Sequence, residues 1–363
     1  MHCWLHIGTQ KTGTTSLQNF LSANRERLLE RGFLYPTAPG GVNHVGLTAY
    51  SRDDEEIDLI RKRCGIESSA DVKAYRRKLA RQLRHEIEAY RPQTIILSNE
   101  HLSARLHAHA EIRRVEQLCR SFADQVTVIV YLRNQIDYLV SWYSTLIIGG
   151  KHKLFDAFSV QRIERQVDYA WMLAPWSRVF GLENMRVCRF EAQDMKGGDI
   201  IDDFASIVGF ETNGLIRAER LNQSLDAEAL EFLMRFNAYF PTLKGEPANP
   251  ERAGVVDVLL ARQGGEAFRV SRAKAAEIEE RFRESNREVN EKYFGSRFDP
   301  LFPPSSRVRQ DDEPGDTLSV DACIRISAAL WREQKQRIAQ KAPRRQSATE
   351  AGDELDTDKS LIT

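Results

Sequence analysis

The sequence predicts an α/β fold of three layers, α/β/α, built on a central parallel sheet, and three observations carry that expectation. Thr94 to Leu97 and Val126 to Leu132 are continuous apolar runs rich in β-branched residues, the composition of parallel strands buried on both faces. Helical patterns of ten or more residues separate the strand-like runs, the alternation that builds a sheet sandwiched between helices. A chain of 363 residues at 42% hydrophobic content is also long enough to bury a sizeable core.

Taken in order, Cys3-Trp4-Leu5-His6-Ile7 predicts the opening strand, followed by the loop Gly8-Thr9-Gln10-Lys11-Thr12-Gly13-Thr14-Thr15. Leu17, Phe20, Leu21, Leu28 and Leu29 then recur at helical spacing until Gly32 supplies a stop. Phe33 to Pro36 predicts a short strand, ahead of a Gly40-Gly41 turn and the loop around Asn43-His44. Residues 51 to 91 are strongly charged with helical periodicity, a solvated helical layer that Pro92 ends. A further strand is expected at Met185 to Phe190, before a helix at Ile200 to Val208. From residue 224 onward the pattern is mainly helical, with Ser224 as candidate N-cap and Ala273 to Phe294 as a second amphipathic run. After Lys341 the chain is polar and poor in large apolar residues, which predicts a disordered tail. Residues 1–340 are therefore expected to form one domain, with helical additions at about 51–91 and 224–340, and residues 341–363 the tail.

Composition narrows the functional classes. The 52 basic and 52 acidic residues cancel, so no overall charge draws the chain to nucleic acid or an anionic membrane, and any anion site must be local. The five cysteines are scattered and never spaced Cys-x-x-Cys, which argues against a disulfide framework or a zinc site and for a reducing compartment. With no leader-like segment, and no apolar run longer than Val126 to Leu132, the chain reads as soluble and cytoplasmic.

Strand, glycine-framed loop and helix N-terminus together make an anion site, because backbone N–H groups converge there and the helix dipole favours negative charge. Lys11 adds a mobile cation, and Thr14, Thr15 and Ser16 add hydroxyl donors. The loop is not a Walker A motif, since Thr14 stands after the second glycine where that motif needs lysine. Instead, Lys11-Thr12-Gly13-Thr14-Thr15 after a strand resembles the 5′-phosphosulfate loop of the sulfotransferase family. That resemblance implies donor contacts from Gln10, Lys11, Thr12, Gly13, Thr14, Thr15 and Ser16.

A second match follows the strand Val126 to Leu132. Family members carry there an arginine and, eight residues on, a serine that together hold the donor's 3′-phosphate, and Arg133 and Ser141 stand in that relation. An arginine at the carboxyl end of a central strand reaches the sheet edge where open α/β sheets bind ligands. A helix starting near Asn134 carries Ser141 about two turns along. Weaker similarities lie at Arg189-Phe190-Glu191, Asn222-Gln223-Ser224-Leu225, and Ser285-Asn286-Arg287 leading to Tyr293-Phe294, so the resemblance spans about residues 1 to 300. The chain departs from the family in two places. Ser16 replaces a tryptophan found near the adenine in cytosolic small-molecule members, and no Arg-Lys-Gly-type loop is evident.

The resemblance implies a P-loop-NTPase-like fold and transfer of a sulfuryl group from 3′-phosphoadenosine 5′-phosphosulfate (PAPS) to a hydroxyl. Similar bacterial members suggest a carbohydrate or glycolipid acceptor, with a small phenol or alcohol as runner-up. Such a transfer needs in-line positioning and charge stabilisation, with no obligatory metal. Lys11 takes the family's role of stabilising the oxygen left on the 5′-phosphate. The acceptor hydroxyl needs a general base. Ser98-Asn99-Glu100-His101 at a strand end offers Glu100 first and His101 second, while His44 is a candidate acceptor-binding residue. His107 and His109 read as surface residues. A P-loop kinase-like enzyme should show the Walker lysine and a strand ending in Asp, and neither appears. A metal-dependent glycosyltransferase should show Asp-x-Asp at a strand end, yet that string occurs only at Asp356-Thr357-Asp358. A catalytically silent nucleotide-binding protein is the remaining alternative, against which Lys11 and Glu100 weigh.

Overall fold

A computed structural model describes residues 1–155, 164–217, 225–241, 249, 252, 254–262, 265–310 and 318–341. Its centre is a five-stranded sheet: β1 (His2–His6), β2 (Phe33–Leu34), β3 (Thr94–Ser98), β4 (Gln125–Leu132) and β5 (Met185–Arg189). The strands run parallel in the order β2-β3-β1-β4-β5, so the first strand lies in the middle. Register places His2 beside Thr94 on one side and beside Gln125 on the other.

Helices cover both faces. The first half of the chain supplies α1 (Thr14–Ala23), α2 (Arg25–Glu30), α3 (Val45–Ser51), α4 (Leu59–Arg63), α5 (Ser69–Tyr90), α6 (His101–Arg105), α7 (His109–Arg120) and α8 (Gln135–Ile148). The second half adds α9 (Glu164–Val167), α10 (Tyr169–Phe180), α11 (Ile200–Val208), α12 (Ala227–Tyr239), α13 (Val255–Leu260), α14 (Arg272–Phe294) and α15 (Val320–Lys341). Alternation along the strands sorts side chains into two cores. Leu5, Leu97, Val128 and Val130 pack with Leu118 of α7 and Trp176 of α10. Ile96, Ile129 and Tyr131 face the other way, onto Leu17 and Phe20 of α1 and Phe204 of α11. A third cluster joins α8 to α12 and α14 through Leu139, Leu230 and Phe282.

Two expectations shift in detail. The apolar pattern from Leu17 to Leu29 is two helices, because Asn24 donates to the Phe20 and Ile216 carbonyls (both 2.8 Å) and its Oδ1 accepts from Ile216 N–H (2.7 Å), breaking the turn between them. The charged stretch 51–91 is not continuous helix. Between α3 and α4 the chain wraps the guanidinium of Arg61, which is fully buried and donates to the carbonyls of Ala49, Arg52, Asp53, Asp54 and Glu56. Periodicity cannot show this, since an arginine among charges reads as solvated. The cap expected at Ser224 lies outside the described residues; Asp226 caps α12 by accepting from Ala229 N–H at 2.7 Å. The tail expected from 341 likewise falls, beyond Lys341, outside them. Among the described residues, no helix is long and apolar enough to cross a membrane.

Arg61 generates a stability prediction. Arg61→Met removes the donor that satisfies five carbonyls, which is expected to lower unfolding free energy by roughly 2–4 kcal/mol. Arg61→Lys should recover little, because an ammonium lacks the planar fork of five donors. Urea unfolding of the two variants measures both.

Candidate anion site and carboxylate

The loop stays paired to β4 past the end of β1. Ile7 donates to Ile129 (2.9 Å), Tyr131 to Gly8 (2.8 Å) and Thr9 to Tyr131 (3.0 Å), so the chain turns over only from Gln10 onward. Gly8 has φ +109, and a Cβ there would lie 3.1 Å from Cα and Cβ of Glu100. Gly13 has φ +73, and a Cβ would come within 3.2 Å of Ile200. Lys11 also adopts a left-handed conformation, at φ +63, which costs about 1 kcal/mol for a residue with a side chain. Two left-handed residues separated by one turn the intervening N–H groups toward a common centre, the arrangement that binds anions. Among the described residues, the backbone N–H groups of Gln10, Lys11 and Gly13 to Ser16 have no protein acceptor, while a turn over Gln10-Lys11 draws Thr12 toward the Thr9 carbonyl.

The side chains of this loop divide into two sets. Thr12 is fully buried and its hydroxyl donates to the Thr9 carbonyl at 2.6 Å, bracing the loop. Gln10 turns its amide nitrogen to His101 Nδ1 at 3.2 Å. Thr15 and Ser16 are exposed on the first turn of α1. Lys11 Nζ donates to Thr145 Oγ1 at 2.8 Å, and Thr145 Oγ1 donates to the Ser141 carbonyl at 3.2 Å, which ties the loop to the face of α8 that carries Ser141.

Arg133, at the carboxyl end of β4, donates from Nη1 to the Lys11 carbonyl at 2.7 Å and lies over the Phe190 ring at 5.6 Å. Its backbone is clamped by the Tyr169 hydroxyl, which donates to the Arg133 carbonyl at 2.5 Å. Burial, and after it the charge of Arg133, holds the Lys11 ammonium below its ordinary value. Arg133 is itself lowered, by burial first, with Asp137 opposing the shift and Arg307 adding to it. The cations thus crowd one another inside a partly dry site, an arrangement that an anion relieves.

Arg307 is the residue that sequence reasoning missed. Ser305 Oγ donates to Asp137 Oδ1 (2.6 Å) and accepts from Arg307 N–H (3.0 Å), which folds the 305–307 segment onto the first turn of α8. The Arg307 side chain is half-buried and has no carboxylate partner among the described residues. Its only sequence signal is an arginine after two serines, with none of the glycine that the family's loop would show.

On the opposite side of Gly8 stands Glu100. Its carboxylate accepts from Gln18 Nε2 (2.8 Å) and from Asn43 Nδ2 (3.0 and 3.1 Å). His101 Nε2 lies 3.7 Å from Glu100 Oε1, and burial lowers the His101 pKa. Its Nδ1 pairs with the Gln10 amide, and its Nε2 side faces the carboxylate beyond hydrogen-bond distance. Gln18 and Asn43 are further residues that no motif marked.

His44 corrects an expectation. It faces no acceptor space: the ring is fully buried, Nδ1 accepts from Ser98 N–H at 3.1 Å and Nε2 donates to the Pro36 carbonyl at 2.9 Å. Both nitrogens are used in pinning the 36–44 loop to β3, and it is Asn43 beside it that reaches the site. His107 is likewise not free at the surface, for its ring is half-buried against Trp171 at 4.9 Å. Among the described residues, no group of three or more His, Cys, Asp or Glu is placed to hold a metal ion.

No protein-family model matches the chain, and no curated protein matches it. Two solved structures are similar to it. A sulfotransferase from Alicyclobacillus acidocaldarius is 17% identical, with 60% of this chain and 86% of that one covered at a TM-score of 0.36. The sulfotransferase domain of the Synechococcus PCC 7002 olefin synthase is 12% identical, with 73% and 96% covered at a TM-score of 0.34.

Buried neutral histidines beneath the loop set a pH dependence. Burial lowers His44 to about 3, and His6, whose Nδ1 pairs with Ser98 Oγ at 2.8 Å, to about 3 as well. As pH falls through the ordinary value of about 6.5 the unfolded chain gains these protons and the folded chain does not, so stability present above 6.5 is lost between there and 3. At pH 5 the expected loss is about 2 kcal/mol per histidine. Urea midpoints at pH 7 and pH 5 measure it, and an unchanged midpoint would contradict the buried neutral state.

Proposed function

We propose that this chain is a sulfotransferase that uses PAPS as donor and a hydroxyl, on a saccharide, glycolipid or small alcohol, as acceptor. One observation carries the reading: an anion-seeking loop with Lys11 and Arg133 on one side of Gly8, and a hydrogen-bonded carboxylate, Glu100, on the other. The unpartnered N–H groups of residues 10, 11 and 13–16 fit a 5′-phosphosulfate, and Arg133, Ser141 and Arg307 fit a second phosphate beside it. When bound, the donor supplies an activated sulfuryl group on a phosphate leaving group.

The chain's own residues then have separate tasks. Backbone N–H groups and the α1 N-terminus orient the leaving phosphate. Lys11 neutralises charge that develops on the oxygen released. Glu100 takes the acceptor's proton, its orientation held by Gln18 and Asn43. His101 is the weaker candidate for base, since its Nδ1 is already engaged by Gln10.

Calorimetric titration with 3′-phosphoadenosine 5′-phosphate, against ATP and UDP, tests the donor. The bisphosphate should bind, and Lys11→Ala or Arg133→Ala should each weaken it about tenfold or more, the loss of one charge-assisted contact. Tight binding of ATP or UDP with no response to the bisphosphate overturns the proposal. Glu100→Gln should leave bisphosphate affinity nearly unchanged while abolishing transfer of labelled sulfate to a panel of hydroxylated acceptors. Full transfer by Glu100→Gln, with loss in His101→Ala, would move the base to the histidine.

A further inference from the structure

Helix α15 buries Ala322, and Ile326 on the third cluster, and turns an apolar stripe outward. Val320, Ile324, Trp331 and Ile338 are 75%, 61%, 63% and 55% exposed. Scattered exposed apolar side chains need no explanation, whereas a line of them on one helix does. Ser327 and Gln334 complete the line, and the spacing of the six is 4, 3, 4, 3 and 4 residues. Five steps over eighteen residues match the helical period, so all six lie on one face of a straight helix. The apolar surface continues sideways onto α12, where Phe232 and Phe236 stack at 6.1 Å and Phe236 and Phe240 at 4.4 Å beside Trp331.

We propose that α15 pairs antiparallel with α15 of a second copy of this chain, forming a two-fold dimer along this stripe. Size and charge select the second copy and the direction. In antiparallel register, Val320 meets Ile338 of the second copy, Ile324 meets Gln334, and the small Ser327 meets the large Trp331. The same register sets Asp321 opposite Lys335 of the second copy, twice by symmetry. Neither group has an oppositely charged partner within its own chain among the described residues; Lys335 lies over Trp331 at 4.8 Å. A parallel pair would set Trp331 against Trp331 and leave Lys335 facing Leu330. The seam is about 33 Å long at 1.5 Å per residue over the 22 residues of α15.

Light scattering and sedimentation of the full chain provide the test. The parent should run at twice the 41.6 kDa chain mass. Ile324→Lys combined with Trp331→Glu should run at the single-chain mass with unchanged circular dichroism and unchanged bisphosphate binding. Asp321→Lys alone should weaken the dimer about tenfold, and adding Lys335→Asp should restore it, a rescue that lost folding cannot mimic. A monomeric parent, or a dimer indifferent to these changes, overturns the proposal. So does a monomer whose Trp331 becomes accessible to a fluorescence quencher once residues 342–363 are removed, because the occupant would then be the chain's own tail.

Discussion

The site depends on one close approach, that of Gly8 to Glu100. β1 lies between β3 and β4, so the chain leaving it must turn over the end of the sheet in the space between the ends of two neighbours. It remains bonded to β4 through Tyr131, and on the other side Asn99 donates to the His6 carbonyl at 3.0 Å. The backbone is thus held between both strands, and only a residue without a Cβ fits at 3.1 Å from Glu100. The anion loop and the carboxylate are two sides of a single glycine, and their separation is set by the sheet rather than by a flexible loop.

Beneath the carboxylate the polar groups are uncharged. Gln18 joins Glu100 to Ser98, Ser98 joins His6, and Asn43 is linked through Asn99 to Thr48. Amides and hydroxyls in such a chain aim dipoles at the carboxylate without adding a countercharge, and each is fixed by its next partner. The positive charge is placed elsewhere, on Lys11 and on Arg133, whose charge is felt by Lys11.

Much of this architecture was legible in the sequence. The strands at Thr94 and Val126 declared themselves because burial on both faces demands unbroken apolar runs, and the helix at Ile200 to Val208 because its apolar positions follow one period. The loop's turn was readable because Gly8 and Gly13 stand where the backbone takes a positive φ. What stayed hidden were partnerships across long sequence separations. The segment carrying Arg307 comes from 174 residues beyond Arg133 and is tied to α8 through a serine bonded to Asp137. Gln18 looked like one more polar position on a helix, and Arg61 like one more surface charge. His44 misled for a related reason: a histidine in a polar loop gives no sign that both its nitrogens are claimed by backbone.

The bond between Lys11 and Thr145 has a consequence for how a ligand would enter. A hydroxyl is a neutral partner for an ammonium, strong enough to fix the side chain and too weak to satisfy its charge. An ion pair at the same place would have to be broken before any anion could be received. Here the lysine is parked, already extended along α8, and an arriving oxyanion exchanges a neutral contact for a charged one. Under the function proposed above, the threonine one turn past Ser141 would be a rest position that keeps the loop's cation ordered and available at once.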